Sequence, residues 1–345
     1  NVHFGEGGAG TSSDGKLNTL VKDSDGRNRE VLRIFVEAGA PEDIMYEAKP
    51  HIGTDVLVLV LQNMRHQIEE WGGTYQFQSK VTGFLFEQNQ VKGVRLSDES
   101  IIETENVILA IGHSARDTFE MLNAQHFNME AKSFAVGLRV EHPQSMIQKS
   151  QYGDQREDLL PASYKLAGKG RNQRGVYSFC MCPGGYVVDA SSENQRLAIN
   201  GMSERARDSK NANSAIIVAV TPEDFPNQGP LAGMEFQRSI EEKAFQLGNG
   251  AIVQQLYGDY KKKQKSVCAG SFESETKGNC VWGDLSSIYS DEIREAFIDG
   301  MEEFNRKIKG FAKDDVILSG VETRTSSPVR ILRDETMQSN WHGVY

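Results

Sequence analysis

The chain contains 345 residues, with 38 Lys and Arg against 48 Asp and Glu, and carries a formal net charge of −10. An acidic chain with scattered basic residues lacks the electrostatic footprint of a nucleic-acid-binding protein, so we expect no nucleic-acid partner. The longest strongly apolar run, residues 56–61, is too short to span a bilayer, and no signal-peptide pattern is present. We therefore expect no membrane association. Four cysteines without disulfide-scaffold spacing favour a reducing compartment, and we expect a cytoplasmic protein.

The chain opens with a glycine-rich stretch, NVHFGEGGAGTSSDGK, in which Gly5, Gly7 and Gly10 fit a G-x-G-x-x-G spacing. A dinucleotide fingerprint needs a strand before the glycines and an apolar helix after them. Only four residues precede the glycines, and a polar stretch with two further glycines follows. The residues therefore favour either a flexible surface loop or a loop whose backbone N–H groups approach a ligand.

The following elements alternate between helices and strands. Apolar residues at helical spacing predict helices over 29–39 and 56–72, the second capped by Asp55 and ended by Gly72–Gly73. Alternating aromatic and β-branched residues over 74–105 predict a small meander of strands.

A continuous apolar run, NVILAIG (residues 106–112), predicts a strand buried on both faces of a parallel sheet. HSARDTFEMLNA then predicts a helix. The order of elements is that of an α/β nucleotide-binding domain without its first part. The turn at 112–114 therefore lies where doubly wound folds bind ligands, unless it is an ordinary strand-to-helix turn.

From Met129 the sequence becomes richer in strands. KSFAVGLRVEHPQ predicts a strand, and RGVYSFCMCPGGYVVDAS predicts a hairpin turning at Pro183–Gly185. Helices are predicted over 233–248 and 290–311, and the polar stretch 255–285 is predicted as an exposed excursion. We interpret residues 129–311 as a second, β-rich domain inserted into a first domain formed by residues 1–128 and 312–345.

Several stretches in chain order resemble the uncharacterised FAD-dependent dehydrogenases, a family of NAD(FAD)-utilising flavoproteins related to glutathione-reductase-type and YhiN-like proteins. The stretches are FGEGGAGTSSDGKLNTLVKD, KPHIGTD, VILAIGHSARDTFEML, FAVGLRVEHPQ, VYSFCMCPGGYVV, INGMSERARDSKNANSAI and GVETRTSSPVRILR. The resemblance covers nearly the whole chain. It implies an α/β fold: an incomplete FAD/NAD(P)-binding Rossmann-like domain with an inserted β-rich α+β substrate domain. It also implies an internal fragment, lacking the first βα unit and the C-terminal flavin segment.

The same resemblance assigns the opening glycines to a second flavin loop and the segment after residue 109 to a strand end beside the cofactor. The implied cofactor-binding residues are Gly7, Gly8, Gly10, Thr11, Asp14, Lys16, Val81, Ala110, Ile111, Gly112, His113, Arg324, Ser326 and Ser327.

Two cysteines, Cys180 and Cys182, lie in the stretch FCMCPGG and invite a redox interpretation. Two residues apart in a predicted strand, their side chains point the same way, and a bridge between them would be strained. Packing thiols beside a turn near the flavin are the favoured interpretation. A zinc site would also need Cys268 and Cys280, whose spacing matches no usual finger, so no metal is expected.

The remaining candidates are charged or titratable. Arg324 and Arg330 could fix a carboxylate or phosphate, or belong to a surface strand neutralised by partners such as Glu322. His113 and His142 are candidate proton carriers, against an ordinary structural role for each. The catalytic residues are not identified, and Cys182, His113 and Arg324 are the candidates.

The function implied is that of an FAD-dependent oxidoreductase acting on a small-molecule substrate of unknown identity, with the flavin carrying the hydride. NAD(P)H is a candidate electron donor. The alternative is a non-catalytic module that keeps the flavoprotein fold without the cofactor. The sequence predicts neither the substrate nor the oligomeric state.

Overall fold

The structure is a computed structural model that describes residues 6–7, 16–17, 22–153 and 158–345. These residues form seven α-helices, α1 (Arg27–Glu37), α2 (Thr54–Glu70), α3 (Arg116–Ala124), α4 (Gln144–Tyr152), α5 (Ala232–Gly248), α6 (Tyr257–Lys262) and α7 (Asp291–Lys307). The strands are β1 (Val81–Glu87), β2 (Gln90–Leu96), β3 (Ile101–Glu103), β4 (Met129–Ala131), β5 (Phe134–Pro143), β6 (Ala167–Lys169), β7 (Gly175–Cys182), β8 (Tyr186–Asp189), β9 (Ile199–Met202), β10 (Asn211–Val220), β11 (Ile252–Leu256), β12 (Thr276–Lys277), β13 (Cys280–Trp282), β14 (Ile317–Glu322) and β15 (Val329–Ile331). The protein is a mixed α/β protein.

The residue contacts divide the chain into two compact units. The large unit contains the described residues of 1–75 together with Val136–Val218 and Ile240–Thr323. The small unit contains Gln76–Ala135, Ala219–Ser239 and Arg324–Tyr345. The predicted division into a flavin domain (1–128 and 312–345) and an inserted substrate domain (129–311) concerns function, and it stays a prediction.

The large unit is built on a seven-stranded mixed sheet in the order β13-β11-β14-β5-β10-β7-β6. β11 pairs with β13 in parallel and with β14 antiparallel. Every residue of β14 is buried, and β5 and β10 are buried over nearly their whole length. Helix α7 packs on β6 and β7. Gly300 allows this close approach, since a Cβ at that position would lie 2.4 Å from Val176 Cγ1.

The predicted hairpin at Pro183–Gly185 is wrong in its pairing. β7 pairs with β10 and β6, whereas β8 belongs to a separate three-stranded sheet in the order β12-β8-β9. The turn therefore connects two sheets. Gly184 has a φ of 48°, and a Cβ there would lie 1.8 Å from the carbonyl oxygen of Arg207, so this turn requires glycine.

A buried guanidinium lies at the centre of the seven-stranded sheet. Arg139 on β5 donates from Nε and Nη2 to the two carboxylate oxygens of Glu322 on β14, at 3.0 and 3.3 Å. Its other N–H groups reach Asn213 Oδ1 at 2.6 Å, Asn200 Oδ1 at 3.2 Å and the Cys180 carbonyl at 3.2 Å. Arg139 is fully buried. All five N–H donors are thus used, and they link residues of β5, β7, β9, β10 and β14.

The polar stretch 255–285, predicted as an exposed excursion, is a packed part of the large unit. It carries α6, β12 and β13, and Tyr257 and Tyr260 are fully buried. Glu141 on β5 holds the stretch. Its carboxylate accepts from Ser274 Oγ at 2.5 Å and from the Glu275 N–H at 2.8 Å. Burial raises the pKa of Glu141, and these hydrogen bonds oppose the shift.

In the small unit, the predicted meander is confirmed as the antiparallel sheet β1-β2-β3. Its core contains Phe84, Val91, Phe119 and Leu122. The side-chain amide of Gln125, after α3, accepts from the Phe84 N–H at 2.9 Å and donates to the Phe84 carbonyl at 3.0 Å. Gln125 thereby occupies the hydrogen-bonding groups that β1 would offer to a neighbouring strand.

The predicted strand at 106–112 is wrong in its burial. Val107, Leu109 and Ile111 pack against the core of the small unit, but Ile108 is 79% exposed and Ala110 and Gly112 are also exposed. The stretch makes one isolated bridge, Val107 to Val344 in parallel. An apolar run can therefore line one face only, although its composition suits cover on both.

The predicted helices over 29–39 and 56–72 are confirmed as α1 and α2. Asp55, predicted to cap α2, instead lies in its first turn, where its carboxylate accepts from the Arg205 N–H at 3.2 Å. Gly72 follows the end of the helix with a φ of 87°, as predicted for a helix stop. Within the described ranges, the structure contains no helix of the length and apolar character that a membrane crossing requires.

Arg139→Met should destabilise the protein by about 3–5 kcal/mol, because it leaves Glu322 buried without a cation. The double variant Arg139→Met/Glu322→Gln removes the uncompensated charge and should regain part of that loss. Urea unfolding followed by circular dichroism measures both, with Arg33→Gln on the exposed face of α1 as control. A double variant no more stable than Arg139→Met would show that lost packing outweighs the charge.

Candidate functional site

The predicted cofactor-binding residues separate into three groups. Gly8, Gly10, Thr11 and Asp14 lie outside the described residues. Gly7 and Lys16 belong to the large unit. The others belong to the small unit, and they are Val81, Ala110, Ile111, Gly112, His113, Arg324, Ser326 and Ser327.

Lys16 meets the cysteine-containing turn of the large unit. Its Nζ donates to the carbonyl oxygen of Met181 and lies 4.0 Å from Cys182 Sγ. Lys16 also forms an antiparallel bridge with His51, which fixes its backbone. The structure therefore joins two predicted features, the opening loop and the FCMCPGG stretch. Sequence reasoning missed this contact because 165 residues separate Lys16 from Met181.

The two cysteines of this stretch have different surroundings. Cys182 is fully buried, and its thiol lies 3.3 Å from the Cys180 carbonyl oxygen. Cys180 has a φ of 46°, and the same carbonyl accepts from Arg139. All four cysteines are free thiols. In the described part of the chain, no three His, Cys, Asp or Glu side chains cluster in a way that could hold a metal ion.

In the small unit, the exposed face of the 106–112 stretch leads to Gly112. This residue has a φ of 67°, and a Cβ built on it meets no atom within 4 Å. Its backbone therefore requires glycine and leaves open space for a ligand. His113 follows, with Nδ1 3.0 Å from Ser114 Oγ. Together with Ile108 and Ala110, Gly112 and His113 form an apolar strip that ends at an imidazole.

The segment 324–331 satisfies much of its own polarity. Ser327 Oγ donates to the Val329 carbonyl at 2.7 Å. Arg330 is exposed and pairs with Glu130 at 2.9 Å. Glu322, predicted as a possible neutralising partner in this segment, is instead committed to Arg139. The predicted anion clamp of Arg324 and Arg330 thus has one guanidinium already paired.

Val81 begins β1 opposite Leu96 and is half-buried. Its predicted role in binding the cofactor stays a prediction.

His142, a candidate proton carrier, is fully buried on β5. Its Nε2–H donates to the Phe311 carbonyl at 2.8 Å, and Nδ1 has no hydrogen-bond partner among the described residues. Burial lowers the pKa of His142 to about 4, although the Phe311 carbonyl and Asp315 favour the charged form. A neutral imidazole enclosed in the core suits a structural role better than proton transfer.

Arg139 is the buried polar residue that sequence reasoning overlooked. It lies in the apolar strand FAVGLRVEHPQ, and a lone arginine among alternating apolar residues is itself the signal, since a buried charge requires a partner.

The sequence model of a family described as "FAD-dependent protein, C-terminal domain-like" matches residues 133–325, more than half of the chain. The chain belongs to this family. An uncharacterized protein of Clostridium beijerinckii is 46% identical over 351 residues, covering 100% of this chain and 65% of that protein. The chain therefore spans 65% of the length of this relative.

Similarities to solved structures are distant. Tetracycline destructase Tet(51) is 11% identical with a TM-score of 0.30, covering 88% of this chain and 74% of that one. CtdE, solved in complex with FAD and a substrate, is 14% identical with a TM-score of 0.28, covering 52% and 36%. Glycine oxidase of Bacillus cereus is 13% identical with a TM-score of 0.23, covering 77% and 58%.

His142 should make the fold sensitive to acid. The folded state keeps the imidazole neutral down to a pKa of about 4, whereas the unfolded chain binds a proton below about pH 6.5. As the pH falls from 6.5 to 4, this residue should therefore cost up to about 3 kcal/mol of stability. Urea unfolding at a series of pH values measures how the free energy of unfolding changes with pH. His142→Gln should weaken this pH dependence, whereas His66→Gln on the exposed side of α2 should not.

The exposure and the pKa of each thiol should set its rate of reaction with 5,5′-dithiobis(2-nitrobenzoate). Cys268 is exposed and should react first. Cys280 is also exposed as a residue, but partial desolvation of its sulfur, reinforced by Glu141, raises its pKa to about 11, so Cys280 should react at least about tenfold more slowly at pH 8. Cys182 should react only on unfolding.

The variants Cys268→Ser and Cys280→Ser assign the phases. A fast phase that survives when Cys180→Ser is added to these two variants would place Cys182 within reach of solvent, contrary to its burial.

Proposed function

We propose that this chain forms part of an FAD-dependent oxidoreductase, in which the flavin carries the hydride to or from a small-molecule substrate. The observation that carries the proposal is the family match over residues 133–325. A Rossmann-like arrangement around the cofactor, NAD(P)H as electron donor and the identity of the substrate belong to this proposal and stay predictions.

One feature of the described residues fits the ring of a flavin. In the small unit, Ile108, Ala110 and Gly112 present an exposed apolar strip with open space at Gly112, which suits the face of a planar ring. The cofactor-binding role predicted for Lys16, in the large unit, stays a separate prediction.

Hydride transfer is the chemistry that FAD supplies when bound, so the protein has to bind, orient and exclude water rather than provide an acid–base triad. Gly112 would let the ring approach the backbone. His113, oriented by Ser114, would hold a proton at its imidazole next to that strip. In the large unit, Cys182 would pack beside the Lys16 ammonium rather than react, since its buried thiol is already enclosed.

The decisive experiment is titration of the 345-residue chain with FAD up to about 1 mM, followed by flavin fluorescence and by thermal unfolding. We expect a saturable signal and a higher unfolding temperature, because a ligand of the folded state stabilises it by mass action. The longer Clostridium beijerinckii relative serves as a parallel sample. If neither protein takes up FAD, the proposal fails and the cofactor-free module is the better interpretation.

Gly112→Ala should raise the dissociation constant for FAD about tenfold or more, because a methyl group enters the open face and positive φ disfavours alanine. Gly26→Ala is a matched control. Gly26 has a φ of 74° with nothing within 4 Å of an added Cβ, so it carries the same backbone strain away from the strip. Equal FAD affinity in the two variants would remove residues 110–113 from the proposed site.

A further inference from the structure

The large unit contains a cleft of about 620 Å³ between α1, the segment 48–50 and the region of Lys165. Its volume is that of a site for a small organic molecule rather than for a simple ion. Nothing in the proposed function uses α1 or Lys165. The cleft is therefore a separate candidate binding site.

The cleft is lined by lysines, although the chain as a whole is acidic. Among the residues that the structure describes, the lining includes Lys16, Lys49 and Lys165 and no Asp or Glu, in a protein whose net charge is −10. Lys49 and Lys165 are exposed, and no carboxylate in the described part of the chain forms an ion pair with either. Lys16 also lines the cleft, but its Nζ donates to the carbonyl of Met181, which is not part of the lining. The two exposed ammonium groups of Lys49 and Lys165 beside one concave surface create a positive potential that attracts anions.

The opposite wall of the cleft is apolar. Val31, Leu32 and Phe35 of α1 line it, and Val31 is 47% exposed. These side chains recur at a spacing of one and three to four residues, so they form a single face of the helix. A ligand with an apolar body would cover this face, because the removal of apolar surface from water lowers the free energy of the complex.

We propose that this cleft binds an organic anion whose carboxylate or phosphate group lies against Lys49 and Lys165 and whose apolar body packs against α1. Both walls take part, so neither a small inorganic anion nor a neutral apolar molecule satisfies the site. The proposal goes beyond the proposed function, which assigns neither Lys49 nor Lys165, and it holds whether or not the chain takes up FAD.

Calorimetric titration with four probes tests the proposal on the 345-residue chain. The probes are 2-naphthoate, 2-naphthyl phosphate, the neutral 2-naphthamide and inorganic phosphate. We expect one or both naphthyl anions to bind at least about tenfold more tightly than 2-naphthamide, with inorganic phosphate the weakest, and the affinity to fall as NaCl rises. The stronger of the two anions identifies the acidic group that the cleft prefers.

Variants locate the binding. Lys49→Gln/Lys165→Gln should weaken anion binding about tenfold, since each exposed ammonium contributes a modest amount. Lys149→Gln, at an exposed lysine of α4, should leave it unchanged. Val31→Glu should weaken binding of the anion more than the isosteric Val31→Gln, because it adds a like charge to the apolar wall. Circular dichroism and FAD titration on the same samples separate a loss of fold or of flavin binding from a loss of this site.

Equal affinity for 2-naphthoate and 2-naphthamide would overturn the proposal, because the lysines would then have no part in recognition. It would also fail if the double lysine variant bound the anion as tightly as the original chain, or if no naphthyl probe bound at all. None of these outcomes decides the proposal on FAD binding, which the FAD titration tests separately.

Discussion

The buried pair of Arg139 and Glu322 is the constraint on which the large unit depends. A guanidinium without solvent is tolerated only where every N–H finds an acceptor, and here residues of four other strands supply the acceptors. Burial alone would lower the pKa of Arg139, but the Glu322 carboxylate raises it, so the charge is kept. Gly201 leaves room for the guanidinium, since a Cβ there would lie 2.0 Å from Nη1.

This network also reaches the candidate site. The Cys180 carbonyl that accepts from Arg139 belongs to the same short stretch as Met181, whose carbonyl accepts from Lys16. Two cations thus hold adjacent carbonyl groups of one turn-forming segment. Backbone carbonyls fixed in this way cannot rotate freely, so the position of Cys182 follows from charges on β5 and in the opening loop. The rigidity of this region comes from polar contacts as much as from apolar packing.

Local patterns in the sequence predicted most of the elements correctly. The helical spacing of apolar residues in α1 and α2 and the alternation in the β1-β2-β3 meander depend on nearby residues alone, and both are confirmed. The pairing of the strands could not be predicted from such local patterns. The turn at Gly184 looks like a hairpin turn, but which strand β7 meets depends on β10, far along the chain. Likewise, the polar composition of 255–285 concealed its attachment to the buried Glu141.

The sequence alone predicted only part of the candidate site. Glycine at position 112 and lysine at position 16 stand out as residue types, and the structure gives each a geometric reason. The cleft beside α1 was not predicted, because Lys49 and Lys165 are ordinary surface residues until the fold places them on one concave surface. Recognition of such a site requires the distances between residues that the sequence separates by more than a hundred positions.

The amide of Gln125 has a consequence for assembly. By occupying both backbone groups of Phe84, it acts as a one-residue substitute for a further strand along β1. A peptide or a second chain that tried to extend the sheet there would have to displace this side chain before it formed a single ladder bond. The small unit is in this way protected against strand addition at one border, which is a common route to amyloid-like association.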